Sequence, residues 1–242
     1  MRRYSTLVRT LQDAQGVPFS ELASAHGIDL SKPGANQKGI AGRLVEAVLG
    51  KAPDAKAEAD LSYFGLEIKT IPIDLALTPR EMTKVTMLNY VDVYDQPWEH
   101  STVYHKLRNI LFVPIVKRTV ATPLEWYIRD PFVWMPSIAV ERQLREDYES
   151  IRSLVRAGKF DEISSKKPPE GQGVYLIANT AGKDAKDFVS FSLGGAKTKA
   201  RRRAFMMRKD LTERILDENV RYHPASADSE PADDDDETAT RP

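Results

Sequence analysis

Apolar residues recur along this chain with two periods, one typical of helices and one typical of strands. Ile40, Leu44 and Val48 lie at helical spacing and Gly50 follows as a C-terminal stop, which predicts a helix over residues 38–49. A continuous aliphatic run predicts a buried strand at 109–116. The other predicted elements are two short helices within 4–30, strands at 61–73, 84–94, 126–134 and 173–178, a helix starting near Glu99 and an amphipathic helix at 138–157. This mixture predicts an α/β fold with a central sheet.

Strand alternation brings charged residues together within 61–73. Side chains on a strand alternate between its faces, so Glu67 and Lys69 project together while their aliphatic neighbours face the core. Asp60 precedes Glu67 with six residues between them, and a bend near Gly65 would bring its carboxylate to the same edge. Two carboxylates and a lysine at this spacing can bind a divalent cation beside a phosphodiester, but any half-buried strand also alternates charged and aliphatic residues.

The helix upstream offers a third carboxylate. Glu46 lies on the face opposite the apolar stripe, and the same face carries Gly39 and Gly42. That face is nearly bare of side chains, so a bulky partner can approach the backbone closely. The alternative is that Glu46 is simply solvated on a polar face.

Composition limits the class of protein. The chain has 242 residues, of which 41% are hydrophobic, and this is enough for one large domain or two small lobes. It lacks an apolar run of membrane-spanning length and an apolar N-terminal stretch, which predicts a cytoplasmic protein without membrane contact. It contains no cysteine, which excludes disulfides, thiolate metal sites and cysteine nucleophiles.

The formal net charge of zero conceals a basic body and an acidic tail. Residues 226–242 hold seven acids and one base, so the rest of the chain has 34 Lys+Arg against 28 Asp+Glu, a net charge of +6. A tail without aliphatic residues should be disordered, as a solubilising extension or as a DNA mimic. The predicted domain is 1–225, with lobes of about 1–165 and 166–225 joined by the Lys/Pro/Gly-rich loop 165–173.

The positive charge is densest near the C-terminal end of the predicted domain. Seven bases fall within residues 197–209, here called the basic segment: Lys197, Lys199, Arg201, Arg202, Arg203, Arg208 and Lys209. Such density favours phosphate binding, which gives salt-dependent affinity with little sequence information. Lys106 and Arg108 should extend the same surface.

Several motifs, taken together, resemble the MutH family of strand-nicking endonucleases of methyl-directed mismatch repair. They occur in the order known from that family and span about residues 5–216: 38–50, 60–73, 98–101, 105–108, 113–115, 141–148 and 204–212. The resemblance implies a restriction-endonuclease-like PD-(D/E)xK fold, in which a central mixed sheet is flanked by helices and two lobes surround a DNA cleft. The proline of that motif is Ala59 here, as MutH-like proteins also lack it.

The resemblance implies the residues of the active site. The catalytic set is Glu46, Asp60, Glu67 and Lys69, and the metal set is Asp60, Glu67, Glu46 and Ile68, for one or two Mg²⁺ ions. The predicted DNA-binding residues are Lys38, Lys106, Arg108, Lys183, Lys186, Arg203, Met206, Arg208 and Lys209. The implied activity is nicking of the unmethylated strand of double-stranded DNA at a GATC-like site, by a monomer that a MutL-type ATPase activates.

The chain departs from the best-known family members where bases are read. Asn179, Thr180 and Ala181 replace an Arg-Pro-Lys, although Lys183 or Lys186 can substitute by a small shift. Met206 replaces a tyrosine implicated in sensing adenine methylation, which predicts weaker methylation discrimination. A stand-alone restriction endonuclease with altered recognition is the alternative function. A DNA-binding module with a degenerate site is disfavoured because all four catalytic residues are present.

Overall fold

The computed structural model describes residues 4–30, 39–50, 65–117, 123–163, 174–182 and 187–220. These ranges form a mixed α/β structure, which confirms the predicted class, and the central sheet is mixed. Lys38, Asp60, Lys183, Lys186 and the acidic tail lie outside the described residues. The division into lobes stays a prediction.

The described chain contains both helices and strands, beginning with three helices and ending with four consecutive strands and a helix. The α-helices are α1 (Ser5–Asp13), α2 (Phe19–Ala25), α3 (Ile40–Val48), α4 (Tyr90–Asp95), α5 (Thr102–Leu107), α6 (Ile138–Arg156) and α7 (Lys209–Asn219). Short 3-10 helices occupy Trp98–His100 and Pro123–Glu125. The strands are β1 (Glu67–Ile73), β2 (Thr83–Met87), β3 (Ile110–Val116), β4 (Tyr127–Ile128), β5 (Phe132–Trp134), β6 (Leu176–Thr180), β7 (Phe188–Leu193), β8 (Ala196–Arg201) and β9 (Arg203–Met207).

The first sheet is organised around β3, whose seven residues are all buried. β1 runs parallel to β3, whereas β4 and β5 pair with it antiparallel. Leu111, Val113 and Ile115 pack into a core with residues of α1 to α3, and Phe112 joins a second core that contains residues of α4 to α7. Because each face of β3 meets its own set of helices, the strand is aliphatic throughout rather than alternating.

A second sheet joins β2 to two strands from the C-terminal part of the described chain. It has the order β2-β9-β6, and the separate hairpin β7-β8 forms a two-stranded ribbon. Asp147 of α6 holds β6 in place by accepting hydrogen bonds from the backbone N–H groups of Tyr175 and Leu176, at 2.7 and 2.9 Å. Burial raises the pKa of Asp147, while these hydrogen bonds act in the opposite direction.

Two predicted strands differ from the observed structure. Segment 84–94 is a strand only to Met87, because the Asn89 side chain accepts hydrogen bonds from Val91 N and Asp92 N and so caps α4. Segment 126–134 is two short strands, separated at Asp130, which has a φ of 39°. Among the described residues, no helix combines the length and the apolar character needed to cross a membrane.

Candidate active site

A pocket of about 630 Å³ lies where the first and second sheets meet α3. Its walls come from α3, from β1, from β2 with the turn before it, and from Met206 of β9. Glu46 and Lys69, both predicted catalytic residues, line this pocket together. We call it the Glu46 pocket.

Glu67 is buried beside two lysines at the start of β1. Its side chain is only 2% exposed, and its Oε1 accepts hydrogen bonds from Lys69 Nζ at 2.7 Å and from Lys106 Nζ at 2.8 Å. The parallel pairing explains this contact, since Glu67 lies opposite Ile110, just beyond the end of α5, which carries Lys106. Sequence alternation alone predicts the Glu67–Lys69 pair but not the Lys106 contact.

These three side chains leave positive charge and a carboxylate oxygen available. Two ammonium groups and one carboxylate give a formal local charge of +1, which attracts a phosphodiester. Glu67 Oε2 is buried and has no hydrogen-bond partner within the described ranges. A buried carboxylate oxygen without a partner costs free energy, so this atom fits a cation ligand.

The start of α3 explains the position of Glu46. Gly39 precedes the helix with a φ of 84°, which glycine adopts without strain, and Ile40, Ala41, Leu44 and Val45 bury the opposite face. A Cβ on Gly42 would meet no atom within 4 Å, so the surface beside Glu46 is open. The bare glycine face predicted from the sequence therefore borders the pocket.

The predicted metal set is only partly within the described residues. Ile68 lines the pocket, but its side chain packs into the core with α3, so only its backbone carbonyl is chemically able to bind a cation. Within the described residues, which do not include Asp60, no three His, Asp or Glu side chains cluster closely enough to hold a metal ion. The set of Glu46, Asp60, Glu67 and Ile68 stays a prediction.

Arg108 borders the same end of β1. Gly65 has a φ of 61°, so the chain bends where the sequence predicts, and a Cβ there would lie 3.4 Å from Arg108 Nη2. Burial lowers the pKa of His105, and the positive charges of Arg108 and His100 lower it further. The positive charge here therefore comes from the lysines and Arg108 rather than from His105.

Met206 and Lys84 form the side of the pocket that belongs to the second sheet. Met206 is half-buried and pairs with Lys84 on β2 and with Ile177 on β6. Sequence analysis missed Lys84, although its position between Thr83 and Val85, both buried, places its side chain on the exposed face of a strand. Lys84 adds a hydrogen-bond donor opposite Met206.

The bases of the basic segment occupy different environments. Arg203, which is predicted to bind DNA, is only 6% exposed, and its Nη1 donates to Ala178 O at 3.1 Å. Its place in the central strand β9 turns the guanidinium into the protein. Arg208 pairs with Asp210 at 3.1 Å, whereas Lys209 is exposed.

The segment 179–181, which replaces the family's Arg-Pro-Lys, is followed by a close contact between Gly182 and Asp187, which we call the neck. A Cβ on Gly182 would lie 2.4 Å from the Cβ of Asp187, so these two residues approach as closely as only glycine permits. Arg202 closes the neck through its Nε, which donates to Asp187 Oδ1 at 3.0 Å, and through its backbone N–H and C=O, which bond Asp187 O and Ala181 N. The neck fixes Gly182 and Asp187, the described residues on either side of segment 183–186.

Comparisons with known proteins identify the family of this chain. The family model described as "DNA mismatch repair enzyme MutH" matches residues 49–147. The chain is 33% identical over 220 residues to the DNA mismatch repair protein MutH of Haemophilus influenzae strain PittGG, covering 87% of this chain and 94% of the relative. The Vibrio campbellii MutH is 32% identical over 211 residues, covering 87% and 91% of the two chains. The chain therefore belongs to the MutH family of DNA mismatch repair endonucleases.

Proposed function

We propose that this protein is a Mg²⁺-dependent endonuclease that nicks one strand of double-stranded DNA in methyl-directed mismatch repair. The observation that carries the proposal is Glu67, a buried carboxylate with two lysines on Oε1 and no hydrogen bond to Oε2 within the described residues. Glu46 and Lys69 line one pocket beside it. Family membership supports DNA cleavage, and the residues around the pocket support a metal-dependent mechanism for that cleavage.

Glu67 Oε2, Glu46, Asp60 and the Ile68 carbonyl would hold Mg²⁺. All four supply oxygen, which this hard cation prefers, and a partial protein shell leaves positions for water and a phosphate oxygen. When bound, the ion lowers the pKa of a coordinated water and neutralises charge on the phosphoryl group. We propose that the site holds one or two Mg²⁺ ions.

Lys69 and Lys106 supply fixed positive charge for the reaction. Both ammonium groups lie within hydrogen-bonding distance of a single carboxylate oxygen, so they are already oriented before DNA binds. Lys69 lines the pocket, where it orients the attacking water. Such preorganised charge stabilises a transition state without reorganisation during the reaction. Arg108 and Lys106 together would contact the phosphates beside the scissile bond.

Met206 and Lys84 lie where the pocket meets the second sheet. We propose that these two residues recognise the bases of the DNA. The target is a GATC-like site cut on its unmethylated strand. Met206 offers an apolar side chain without a hydroxyl, so discrimination against methylated adenine should be weaker than in relatives with tyrosine. Lys183, Lys186 and Lys38 complete the proposed DNA-reading set.

The protein should act as a monomer whose weak intrinsic activity increases when a MutL-type ATPase binds. The alternative is a stand-alone restriction endonuclease, which cuts both strands and needs two active sites. The sequence has no internal repeat that would supply the second site.

Purified protein and supercoiled plasmid distinguish these functions. With Mg²⁺, we expect nicked circles, in greater amount when a MutL-type partner and ATP are present. The same reaction in Ca²⁺ or EDTA should give none. Linear product without the partner would support restriction instead, and cleavage that persists in EDTA would contradict the metal site.

A further inference from the structure

The outer face of the β7-β8 ribbon carries a row of bases outside the Glu46 pocket. Ser190 pairs with Lys199, Ser192 with Lys197 and Phe188 with Arg201, and all six are exposed. The alternating residues of β7 and β8, including Phe191 and Ala200, face inward. We call the surface formed by Lys197, Lys199 and Arg201 the basic ribbon face.

The inner face fixes this ribbon to the protein. Phe191 stacks on Tyr90 of α4 with 4.6 Å between ring centroids, and Phe160 meets Phe191 edge-on at 5.5 Å. Tyr90 OH donates to the Arg201 carbonyl at 2.6 Å. The outer face is therefore presented by a rigid element, so its bases are held at fixed spacing.

The three bases of the face have no acidic partner among the described residues. Their side chains have no ion pair with any carboxylate in the described ranges, whereas the neighbouring Arg202 pairs with Asp187. Three like charges on one strand repel each other unless an anion is supplied. Charge complementarity therefore favours an anionic partner that extends along the face.

The spacing of the face matches a nucleic-acid backbone. Alternate residues on a strand are about 6.8 Å apart, and phosphates of one strand advance about 3.4 Å per nucleotide along duplex DNA. Because the backbone also winds around the axis, neighbouring phosphates of a strand lie farther apart than this rise, so successive bases of the face can each lie near a phosphate. Lys199 Nζ and the Arg201 guanidinium lie 5.3 and 5.8 Å from the centroid of Phe188. Because cations already contact this ring, it orders them and does not provide a free platform for stacking an unpaired base.

We propose that the basic ribbon face binds the phosphate backbone of duplex DNA that flanks the nicked site. This proposal rests on the DNA-cleaving function and extends the footprint beyond the pocket. The contacts carry no sequence information, so they raise affinity and the rate of encounter without changing the chemical step. Affinity should therefore increase with duplex length beyond the shortest duplex that is nicked.

Binding of full-length protein in Ca²⁺ to duplexes of increasing length tests this proposal. The variant K197Q/K199Q/R201Q should bind long duplex roughly tenfold more weakly at low salt and lose about 2.7 from its salt slope. Its affinity for the shortest nicked duplex and its kcat in Mg²⁺ should equal those of the wild type. The control R9Q/R142Q/K159Q removes three exposed charges elsewhere and should retain the length dependence.

Three results would overturn the proposal. They are wild-type affinity of the ribbon variant at every length, an equal loss on the shortest duplex, and an equal loss on single-stranded DNA of the same length. The last would indicate a surface for any polyanion, including the acidic tail of this chain. If the wild type shows length-dependent binding but never nicks DNA, the enzyme assignment fails while the ribbon surface stands.

Discussion

The Glu46 pocket and the basic segment 197–209 use charge in opposite ways. At the edge of the pocket, Lys69, which lines it, and Lys106 converge on one buried oxygen of Glu67, so a few charges are concentrated at one point. In the basic segment, seven bases are dispersed among a solvent-facing row, ion pairs and the core site of Arg203. A dense run of bases in sequence therefore identifies a charged region without identifying which bases bind DNA.

The largest expected effect breaks the charge cluster in the pocket. Glu67→Ala should lower nicking by at least about 10³-fold, as should Asp60→Ala, because each removes a carboxylate that would hold Mg²⁺ beside the scissile phosphate. Lys69→Ala should be similarly inactive, and all three should still bind DNA in Ca²⁺. Plasmid nicking in Mg²⁺ and binding in Ca²⁺ are the two measurements.

A matched control removes charges of both signs elsewhere. The exposed pair Lys159–Glu162 lies 3.1 Å apart, and K159A/E162A should nick DNA at the wild-type rate. Appreciable Mg²⁺-dependent cleavage by E67A or D60A would contradict the metal assignment. Loss of DNA binding in Ca²⁺ would show instead that the substitution disrupts the fold.

Sequence patterns predicted the parts of this protein that depend on local periodicity. A continuous aliphatic run predicts the buried strand β3. The helical period predicts the bare glycine face of α3, and strand alternation predicts that Glu67 and Lys69 share one side of β1. The convergence of Lys106 on Glu67 depends on the parallel pairing of β1 with β3, which joins residues 39 positions apart. Such long-range pairing leaves no signal in either segment.

The basic segment shows a different cause of error. Applying strand alternation to it would have placed Lys197, Lys199 and Arg201 on one face. It would not have found that Arg203 is buried, because that depends on β9 being the central strand between β2 and β6. The predicted strand over 84–94 is wrong for a third reason. The segment contains Asn89, a good helix cap, and a helix begins directly after it.

The second prediction tests whether recognition depends on the neck at Gly182. A Cβ on this residue would lie 2.4 Å from the Asp187 Cβ, so Gly182→Ala must push residues 182 and 187 apart. Overpacking of this kind costs about 1–3 kcal/mol, and we expect a tenfold to hundredfold lower kcat/KM on site-containing DNA. Nicking kinetics on plasmids with and without the site measure the change.

A double-mutant cycle separates the clash from other effects. Asp187→Gly removes the opposing Cβ. Adding G182A to the D187G variant should therefore lower kcat/KM less than adding G182A to the wild type does. Additive losses would show that steric contact at the neck does not control recognition. Because catalytic residues are untouched, residual nicking should lose its site preference rather than its metal dependence.

The third prediction concerns Met206, where the pocket meets the second sheet. Met206→Tyr adds a hydroxyl that can hydrogen-bond DNA, an interaction worth about 0.5–1.5 kcal/mol. We expect up to roughly tenfold stronger discrimination between unmethylated and hemimethylated sites, with Met206→Leu as the apolar control. Mapping nicks on plasmids in each methylation state measures it. Strict GATC cutting with complete methylation blockade by the wild type would show that other residues, such as Lys84, read the site.

The smallest effect involves the acidic tail, which lies outside the described residues. Deleting 226–242 removes six net negative charges, so binding to non-specific DNA should tighten and its salt dependence should steepen if the tail competes for the basic surface. Replacing the seven acids of the tail by serine keeps its length and should have the same effect, because the competition is electrostatic. Titrations at two salt concentrations compare these variants with the full chain. Unchanged binding at low salt would leave the tail as a spacer or solubility element.

If the tail competes for the basic ribbon face, its deletion should tighten binding less in the K197Q/K199Q/R201Q background, since that variant lacks the bases for which DNA and tail would compete.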